Sequence, residues 1–319
     1  MKVLITGGAG FIGSHLAQHY VSTGHSVSVL DNFVSGSKKN LETIKDNVEI
    51  HQGDIREAKL VGSLVASADL VIHMAAALGV ETILASPIES ISTNIFGSET
   101  VLKAALEFNK RILIASTSEV YGKNPKQPLS ETDDRVVGAP QKIRWTYSDS
   151  KAIEEATAHA MFTTSGLKVT TVRFFNTVGP RQASNYGMVL PNFIKAALNN
   201  QDLRVYGDGN QTRVFCHVLD AVSAVGKLLS TETSIGEVFN VGGVNEISMN
   251  GLAELVIART NSRSSVIHVP YDEAYLEGFE DMQRRVPDIT KIKNFCDWEP
   301  EFRIDEIIDT IAKEMKLSL

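Results

Sequence analysis

The chain has 319 residues, of which 43% are apolar and 22% are charged, and its formal net charge is −7. This composition is typical of a globular protein with a sizeable core, and the acidic balance argues against a nucleic-acid-binding surface, which would be basic. The two cysteines, Cys216 and Cys296, are too few for a disulfide framework or for a metal site of their own.

The first residues do not have the pattern of a targeting segment. Met1 leads directly into an apolar run at residues 3–5, without the charged and apolar regions of a signal peptide. An apolar stretch of about 18 residues, which a membrane-spanning helix would need, is also missing from the sequence. We therefore expect a cytoplasmic protein with no membrane segment.

Short apolar runs, each followed by a helix-like stretch, recur along the first half of the chain. They lie at residues 2–6, 26–31, 48–52, 69–73 and 111–116, and a sixth run follows at residues 168–175. Strands that alternate with helices predict a parallel sheet with helices on both faces. The expected fold class is therefore α/β.

The turn after the first strand is rich in glycine. The run GGAGFIG at residues 7–13 precedes a helical stretch at residues 14–23. We expect Gly7 to allow a tight turn, Gly10 to let the backbone approach a diphosphate, and Gly13 to let the helix pack on the strand. Phe11 and Ile12, in the same run, are further candidate cofactor contacts, and the free N–H groups at the N-terminus of the helix would bind the phosphates. The pattern predicts a dinucleotide-binding domain of the Rossmann type, with a doubly wound parallel sheet.

An acidic residue stands where such a domain recognises the adenosine ribose. Asp31 ends the second strand, 18 residues after Gly13, and Asn32 follows it. A carboxylate here would accept from both ribose hydroxyls and would repel a 2′-phosphate. The predicted cofactor is therefore NAD rather than NADP.

Two further strand ends are candidates for cofactor contacts. Asp54 and Ile55 follow the third strand, where Asp54 could meet the adenine amine or could simply cap a turn. Ala75 lies in the small-residue run after the fourth strand, which would leave room for the cofactor. His73, at the end of the same strand, is predicted to be a packed histidine and not a catalytic base.

A tyrosine and a lysine in the middle of the chain suggest proton transfer. Tyr147 and Lys151 are four residues apart and would share one face of a helix. An ammonium beside a phenol favours the phenolate, which could take a proton from a sugar hydroxyl. Thr117, at the end of the fifth strand, would hold the same hydroxyl. The spacing alone is weak support, because such pairs also occur by chance on helices.

The motifs together resemble one known family. They are TGGAGFIG at residues 6–13, STSEVYG at 116–122, YSDSK at 147–151, RFFNTVGPR at 173–181, GDGNQTR at 207–213 and RRVPD at 284–288. In this order they resemble the extended short-chain dehydrogenase/reductase family, in its NAD-dependent nucleotide-sugar epimerase/dehydratase group. The resemblance implies that NAD takes a hydride from C4 of a nucleotide-linked sugar and later returns it, and the expected nucleotide is UDP.

The resemblance also implies a division of the chain and a homodimer. Residues 1–175, with further strands from about 206–243, would form the NAD-binding Rossmann domain, and residues 176–205 and 246–319 a smaller C-terminal substrate-binding lobe. The candidate dimer helices are the stretches 87–109 and 148–164.

The resemblance gives the catalytic residues their roles. Tyr147 would be the base that removes the C4 hydroxyl proton. Lys151 would lower the tyrosine pKa and hold the nicotinamide ribose, and Thr117 would hydrogen-bond the reacting hydroxyl.

The resemblance also gives four residues a role in binding the nucleotide sugar. Asn176 and Arg213 would bind the diphosphate, and Val189 would cover the nucleotide. Arg285 would be a second cation near the diphosphate or the sugar, and two guanidinium groups suit a diphosphate because each can make a bidentate contact.

Two neighbouring positions separate the possible reactions. In the 4,6-dehydratase branch an Asp-Glu pair removes water, whereas this chain has Ser118 and Glu119, which disfavours dehydration. The run at residues 117–119, together with Arg285, resembles UDP-glucuronate decarboxylases that form UDP-xylose or a 4-keto-pentose. The runs RWTYS at residues 144–148, FFNTVGPRQ at 174–182 and GFEDM at 278–282 resemble bacterial 4-epimerases of UDP-glucose or UDP-glucuronate.

We take the 4-epimerase as the first prediction and the decarboxylase as the alternative. A non-catalytic NAD-binding protein would keep the glycine loop but lose Tyr147 or Lys151, and both are present.

Overall fold

The fold is built on a seven-stranded sheet in which every pairing is parallel. The computed structural model describes residues 1–79, 86–182, 188–270 and 282–318. The sheet strands are β1 (Lys2–Thr6), β2 (Ser26–Asp31), β3 (Val48–Gln52), β4 (Leu70–His73), β5 (Arg111–Thr117), β6 (Val169–Phe174) and β11 (Val238–Val241). Their spatial order, β3-β2-β1-β4-β5-β6-β11, places β1 and β4 at the point where the chain reverses its direction across the sheet.

Helices cover both faces of this sheet. They are α1 (Phe11–Ser22), α2 (Ala58–Ser67), α3 (Pro87–Ser92), α4 (Ser98–Glu107), α5 (Thr146–Ser165) and α7 (Val218–Leu229). Side chains of a strand alternate between the faces, so Val3 and Ile5 pack with α1 and α7, whereas Leu4 packs with α2, α4 and α5. This is the doubly wound Rossmann-type sheet that the sequence predicts.

The predicted element boundaries agree closely with the structure. The first three strands begin and end where the apolar runs do, and the next three differ by at most one residue at either end. Helix α1 is followed by Gly24 at φ +81° and helix α5 by Gly166 at φ +76°, both in the left-handed region. Glycine adopts this region without a Cβ penalty, which explains why each helix stops there.

The remaining elements form the smaller lobe. They are β7 (Thr177–Val178), α6 (Val189–Leu198), β8 (Leu203–Tyr206), β9 (Thr212–Val214), β10 (Cys216–His217), β12 (Glu246–Ser248), α8 (Met249–Thr260), β13 (Val266–Val269), β14 (Arg284–Arg285), α9 (Thr290–Cys296) and α10 (Ile304–Ser318). Helices α6, α8 and α10 share one apolar core. Helix α9 differs, because its buried Ile292 joins the core on the α1 side of the main sheet.

The region 206–243 contributes less to the main sheet than the sequence suggests. Among the described residues, only β11 of this region joins it, whereas β9 pairs with β12 and β14 in the lobe.

Residues 278–281 of the epimerase-like run lie outside the described residues. No helix in the described part of the chain is long and apolar enough to cross a membrane.

Candidate active site

The glycine loop after β1 has the close approaches that its sequence predicts. Gly7 has φ +67°, and a Cβ placed on it would lie 2.7 Å from the backbone nitrogen of Ala75. A Cβ on Gly13 would lie 2.2 Å from the carbonyl oxygen of Gly7. Gly13 is therefore needed so that α1 can pack against the loop itself, and not against the strand as the sequence analysis expected.

The N-terminus of α1 is suited to bind an anion. Its N-cap residue is Gly10, and no side chain caps the first turn. Phe11 and Ile12 are half-buried at the start of the helix. The first N–H groups of a helix have no partner within the helix and carry a partial positive charge. The residues present therefore fit the diphosphate of NAD.

Asp31 helps to build the glycine loop. Its Oδ2 accepts from the backbone N–H of Ala9 at 2.9 Å and its Oδ1 from that of Phe33 at 2.8 Å. Burial raises the pKa of Asp31, while these two hydrogen bonds lower it in part. Each carboxylate oxygen can accept more than one hydrogen bond, so the predicted contact with the ribose stays compatible with this geometry. Asn32 is exposed, and its Oδ1 accepts from the N–H of Val34.

The geometry at Asp54 supports the turn-capping role. Its Oδ1 accepts from the backbone N–H and the Nε of Arg56, each at 2.9 Å, and its Oδ2 from Nη2 at 2.7 Å. The bidentate pair with Arg56 lowers the pKa of Asp54. Ile55 is buried beside Gly97. Contact of Asp54 with adenine stays a prediction.

The structure brings Tyr147 and Thr117 together. A hydrogen bond links their side chains and lowers the tyrosine pKa, but burial raises that pKa more strongly, and so do the charges of Glu119 and Glu154. Lys151 is buried, and its ammonium donates to Glu154. The pKa of Tyr147 is thus raised in this arrangement, whereas the sequence analysis expected Lys151 to lower it.

Glu119 lies between two arginines. Its Oε2 is 2.6 Å from Nη1 of Arg144, and its Oε1 accepts from Nη1 of Arg285. Burial alone would raise the pKa of Glu119, but the two guanidinium groups outweigh it and hold this pKa well below its usual range. Glu119 is therefore ionised at neutral pH. The neighbouring Ser118 is buried at the start of the same turn, Ser118–Tyr121.

Three of the four predicted substrate residues lie close together, and the fourth, Val189, packs elsewhere in the lobe. Arg213 on β9 and Arg285 on β14 are direct partners in strand register, and both are buried. Asn176 has φ +32°, and its Oδ1 accepts from Nη2 of Arg285 at 3.3 Å. Arg213 donates to the carbonyl oxygen of Thr212 at 2.8 Å. Val189 begins helix α6 and packs partly buried against the lobe core.

His73 is packed, as the sequence analysis predicts. Its Nδ1 is 2.6 Å from Thr6 Oγ1, and its Nε2 is 3.0 Å from Ser98 Oγ. Burial and the nearby charge of Lys151 lower its pKa to about 3, so the ring is neutral at physiological pH.

Sequence reasoning missed two charged residues of this site. Arg144 entered only as part of a motif, although it holds Glu119. Glu154 was not considered, although it lies three residues after Lys151 on the same helix and is buried. A spacing of three places two side chains on one helical face, and this was the signal that could have identified Glu154.

The chain matches one family model over most of its length. This is the model of GDP-mannose 4,6-dehydratase, which matches residues 4–311. A UDP-N-acetyl-α-D-glucosaminuronate decarboxylase of Bacillus cytotoxicus is 45% identical, over 94% of this chain and 92% of that protein. UDP-glucuronic acid decarboxylase 1 of Danio rerio is 36% identical, over 96% of this chain and 70% of that protein.

Solved structures share the fold. A UDP-glucose 4-epimerase of Thermotoga maritima, solved with UDP-glucose, has a TM-score of 0.90 and 28% identity, over 100% of this chain and 99% of that one. Two dTDP-glucose 4,6-dehydratases with this fold were solved with NAD.

Proposed function

This chain belongs to the GDP-mannose 4,6-dehydratase family of NAD-dependent nucleotide-sugar enzymes, and from that premise we propose that it decarboxylates a UDP-linked hexuronate. The first candidate substrate is UDP-N-acetylglucosaminuronate, and UDP-glucuronate is the second. The product would be the corresponding UDP-linked pentose or its 4-keto form.

The observation that carries this proposal is the charge around Glu119. Arg144 and Arg285 contribute two positive charges and Glu119 one negative charge, so the cluster has a net charge of +1. This cluster lies beside the Tyr147 hydroxyl, because Glu119 is close enough to raise the pKa of that tyrosine. A cationic group next to the reacting hydroxyl suits a sugar that carries a carboxylate. A neutral hexose would bring no carboxylate for these two guanidinium groups to bind.

The first step requires a base and a hydride acceptor at C4. NAD, when bound, accepts a hydride from C4 of the sugar and later returns one. Tyr147 takes the proton of the C4 hydroxyl, and Thr117 hydrogen-bonds that oxygen and the tyrosine. Lys151, one turn away on the same helix, would favour the phenolate form of Tyr147 that this step requires.

Oxidation at C4 prepares the loss of carbon dioxide. The 4-keto sugar is a β-keto acid, so the bond between C5 and C6 can break while its electron pair moves toward the C4 oxygen. Carbon dioxide leaves, and the resulting enolate takes a proton from water at C5 to give the 4-keto pentose. Tyr147, now a neutral phenol, and Thr117 can both donate to that oxygen as negative charge develops. The ionised Glu119 weakens the binding of the substrate carboxylate to the two guanidinium groups. The carboxylate is therefore not stabilised in the ground state more than in the transition state, from which it leaves as carbon dioxide.

The two relatives described above support the decarboxylase over the 4-epimerase that the sequence analysis placed first. Both are decarboxylases, and they are more similar to this chain than the epimerase structure is, at 45% and 36% identity against 28%. The low pKa of Glu119 and the Ser118 at the dehydratase acid position both argue against dehydration. The 4-epimerase remains an outcome that the assay must distinguish.

The test is a product assay with three substrates. We expect purified protein with NAD to release carbon dioxide from UDP-N-acetylglucosaminuronate or UDP-glucuronate, and to leave UDP-glucose without mass loss. Mass spectrometry and proton NMR of the nucleotide sugar would identify the product, and Tyr147→Phe is the inactive control. A product of unchanged mass with a new C4 configuration would contradict the proposal and favour a 4-epimerase.

A further inference from the structure

The catalytic lysine is paired with a buried glutamate on its own helix. Lys151 and Glu154 are one turn apart on α5, and their side chains are 2% and 1% exposed. The Lys151 ammonium donates to Oε2 of Glu154. A buried charge pair is costly unless both partners are satisfied, so this pair constrains where the ammonium can lie.

The other side of Glu154 faces the sheet. His73 Nε2 on β4 is 3.9 Å from Oε1 of Glu154, and the Ser98 hydroxyl is close enough to lower the pKa of Glu154. Ser98 also hydrogen-bonds His73 Nε2 at 3.0 Å, and Thr6 hydrogen-bonds His73 Nδ1 at 2.6 Å. These contacts run from β1 through β4 and α4 to the helix that carries Lys151.

Among the described residues, the titratable groups that face Glu154 are Lys151 and Glu155 on its own helix, the neutral His73 on β4, and Glu99 on α4, which lines a cavity of about 170 Å³ with Glu154. Burial raises the pKa of Glu154, and the Lys151 ammonium lowers it in part. The carboxylate in turn raises the pKa of Tyr147.

We propose that Glu154 is a positioning residue, which holds the Lys151 ammonium against the sheet with the support of Ser98 and His73. In this position the positive charge of Lys151 acts less strongly on the Tyr147 hydroxyl. The inference rests on the roles of Tyr147 and Lys151 in the proposed function. It does not depend on which product the enzyme forms, because it concerns only the oxidation at C4.

The test follows C4 oxidation in Glu154→Gln. Glutamine keeps the shape and can still accept from Lys151, but it removes the negative charge. In a single turnover with a UDP-hexuronate, reduced nicotinamide is measured by absorbance as a function of pH. Loss of a negative charge favours the phenolate of Tyr147. We therefore expect the acid limb of the plot of oxidation rate against pH to move to lower pH by about one unit. Ser98→Ala, which weakens the support of Glu154, should move the limb in the same direction by less.

The matched control is Glu155→Gln on the same helix. Glu155 forms its ion pair with Arg173, and its charge affects the pKa of Glu154 less than Lys151 and Ser98 do. This variant should therefore lose stability and move the acid limb by much less than Glu154→Gln does. An acid limb that stays in place in Glu154→Gln, or that moves to higher pH, would overturn the inference. Reduced nicotinamide without carbon dioxide in the wild type would instead contradict the proposed decarboxylation and leave this pH test valid.

Discussion

Single charges around Tyr147 decide what the candidate site can do. Glu119 and Glu154 both raise the tyrosine pKa. Each carboxylate is paired with cations, Glu119 with two arginines and Glu154 with Lys151. Each carboxylate of the site therefore has a cationic partner, and removing one carboxylate changes the field at the reacting hydroxyl.

We expect Glu119→Gln to separate the two chemical steps. The variant raises the net charge of the cluster with Arg144 and Arg285 from +1 to +2, since one negative charge is lost. The substrate carboxylate would then be held more tightly in the ground state than in the transition state, so carbon dioxide release should fall about 100-fold. Oxidation at C4, measured as reduced nicotinamide, should persist, because removing the negative charge lowers the pKa of Tyr147.

The control for this variant is Glu131→Gln. Glu131 is a half-buried carboxylate whose Oε1 accepts from the backbone N–H of Asn240, away from the arginine cluster. Its replacement should leave the rate of carbon dioxide release unchanged. Full decarboxylation by Glu119→Gln would refute the role assigned to Glu119.

At the scale of elements, strand ends bring the cofactor loop and the site together. The backbone at Ala75, just after β4, meets the glycine loop after β1, and β1 and β4 are neighbours in the sheet. In the lobe, the pairing of β9 with β14 places Arg213 beside Arg285. Both contacts follow from strand pairing, which sets the positions of backbone groups more tightly than a free loop could.

We expect Gly7→Ala to abolish NAD binding. Gly7 has φ +67°, and the added Cβ would lie 2.7 Å from the nitrogen of Ala75, so the loop would have to move. Gly24→Ala is the matched control, because Gly24 has φ +81° and an added Cβ would meet nothing within 4 Å. Both variants should lose about 1 kcal/mol for the left-handed backbone. Titration calorimetry with NAD should detect binding in the control alone, and NAD binding by Gly7→Ala would contradict the prediction.

At the scale of the whole molecule, three helical segments that contact one another carry exposed apolar residues. Ile88 on α3 is 83% exposed, Phe96 between α3 and α4 is 58% exposed, and Ile153 on α5 is 46% exposed. These residues lie on the stretches 87–109 and 148–164, through which the family resemblance implies a homodimer. Exposed apolar residues that come from neighbouring helices are typical of an interaction surface.

We expect Ile153→Lys to produce a monomer. A charge in the centre of an apolar interface would be buried without a partner, which is strongly unfavourable. Leu219→Lys is the control, because Leu219 is exposed to a similar degree, 47%, on α7. Analytical ultracentrifugation should show a monomer for Ile153→Lys and a dimer for the wild type and the control. A wild-type monomer, or a dimer that survives Ile153→Lys, would be contrary to the prediction.

The sequence by itself determined the sheet, the glycine loop and the shared helical face of Tyr147 and Lys151. These features depend on local properties, namely apolar periodicity, the backbone freedom of glycine, and a spacing of four residues. The tertiary structure decided the pairing of the charges. Glu119 and Arg285 are 166 residues apart in sequence, and Glu154 comes within 3.9 Å of His73 only because α5 packs on β5 and β6, beside β4. Such contacts depend on how distant segments pack, so local patterns carry no signal for them.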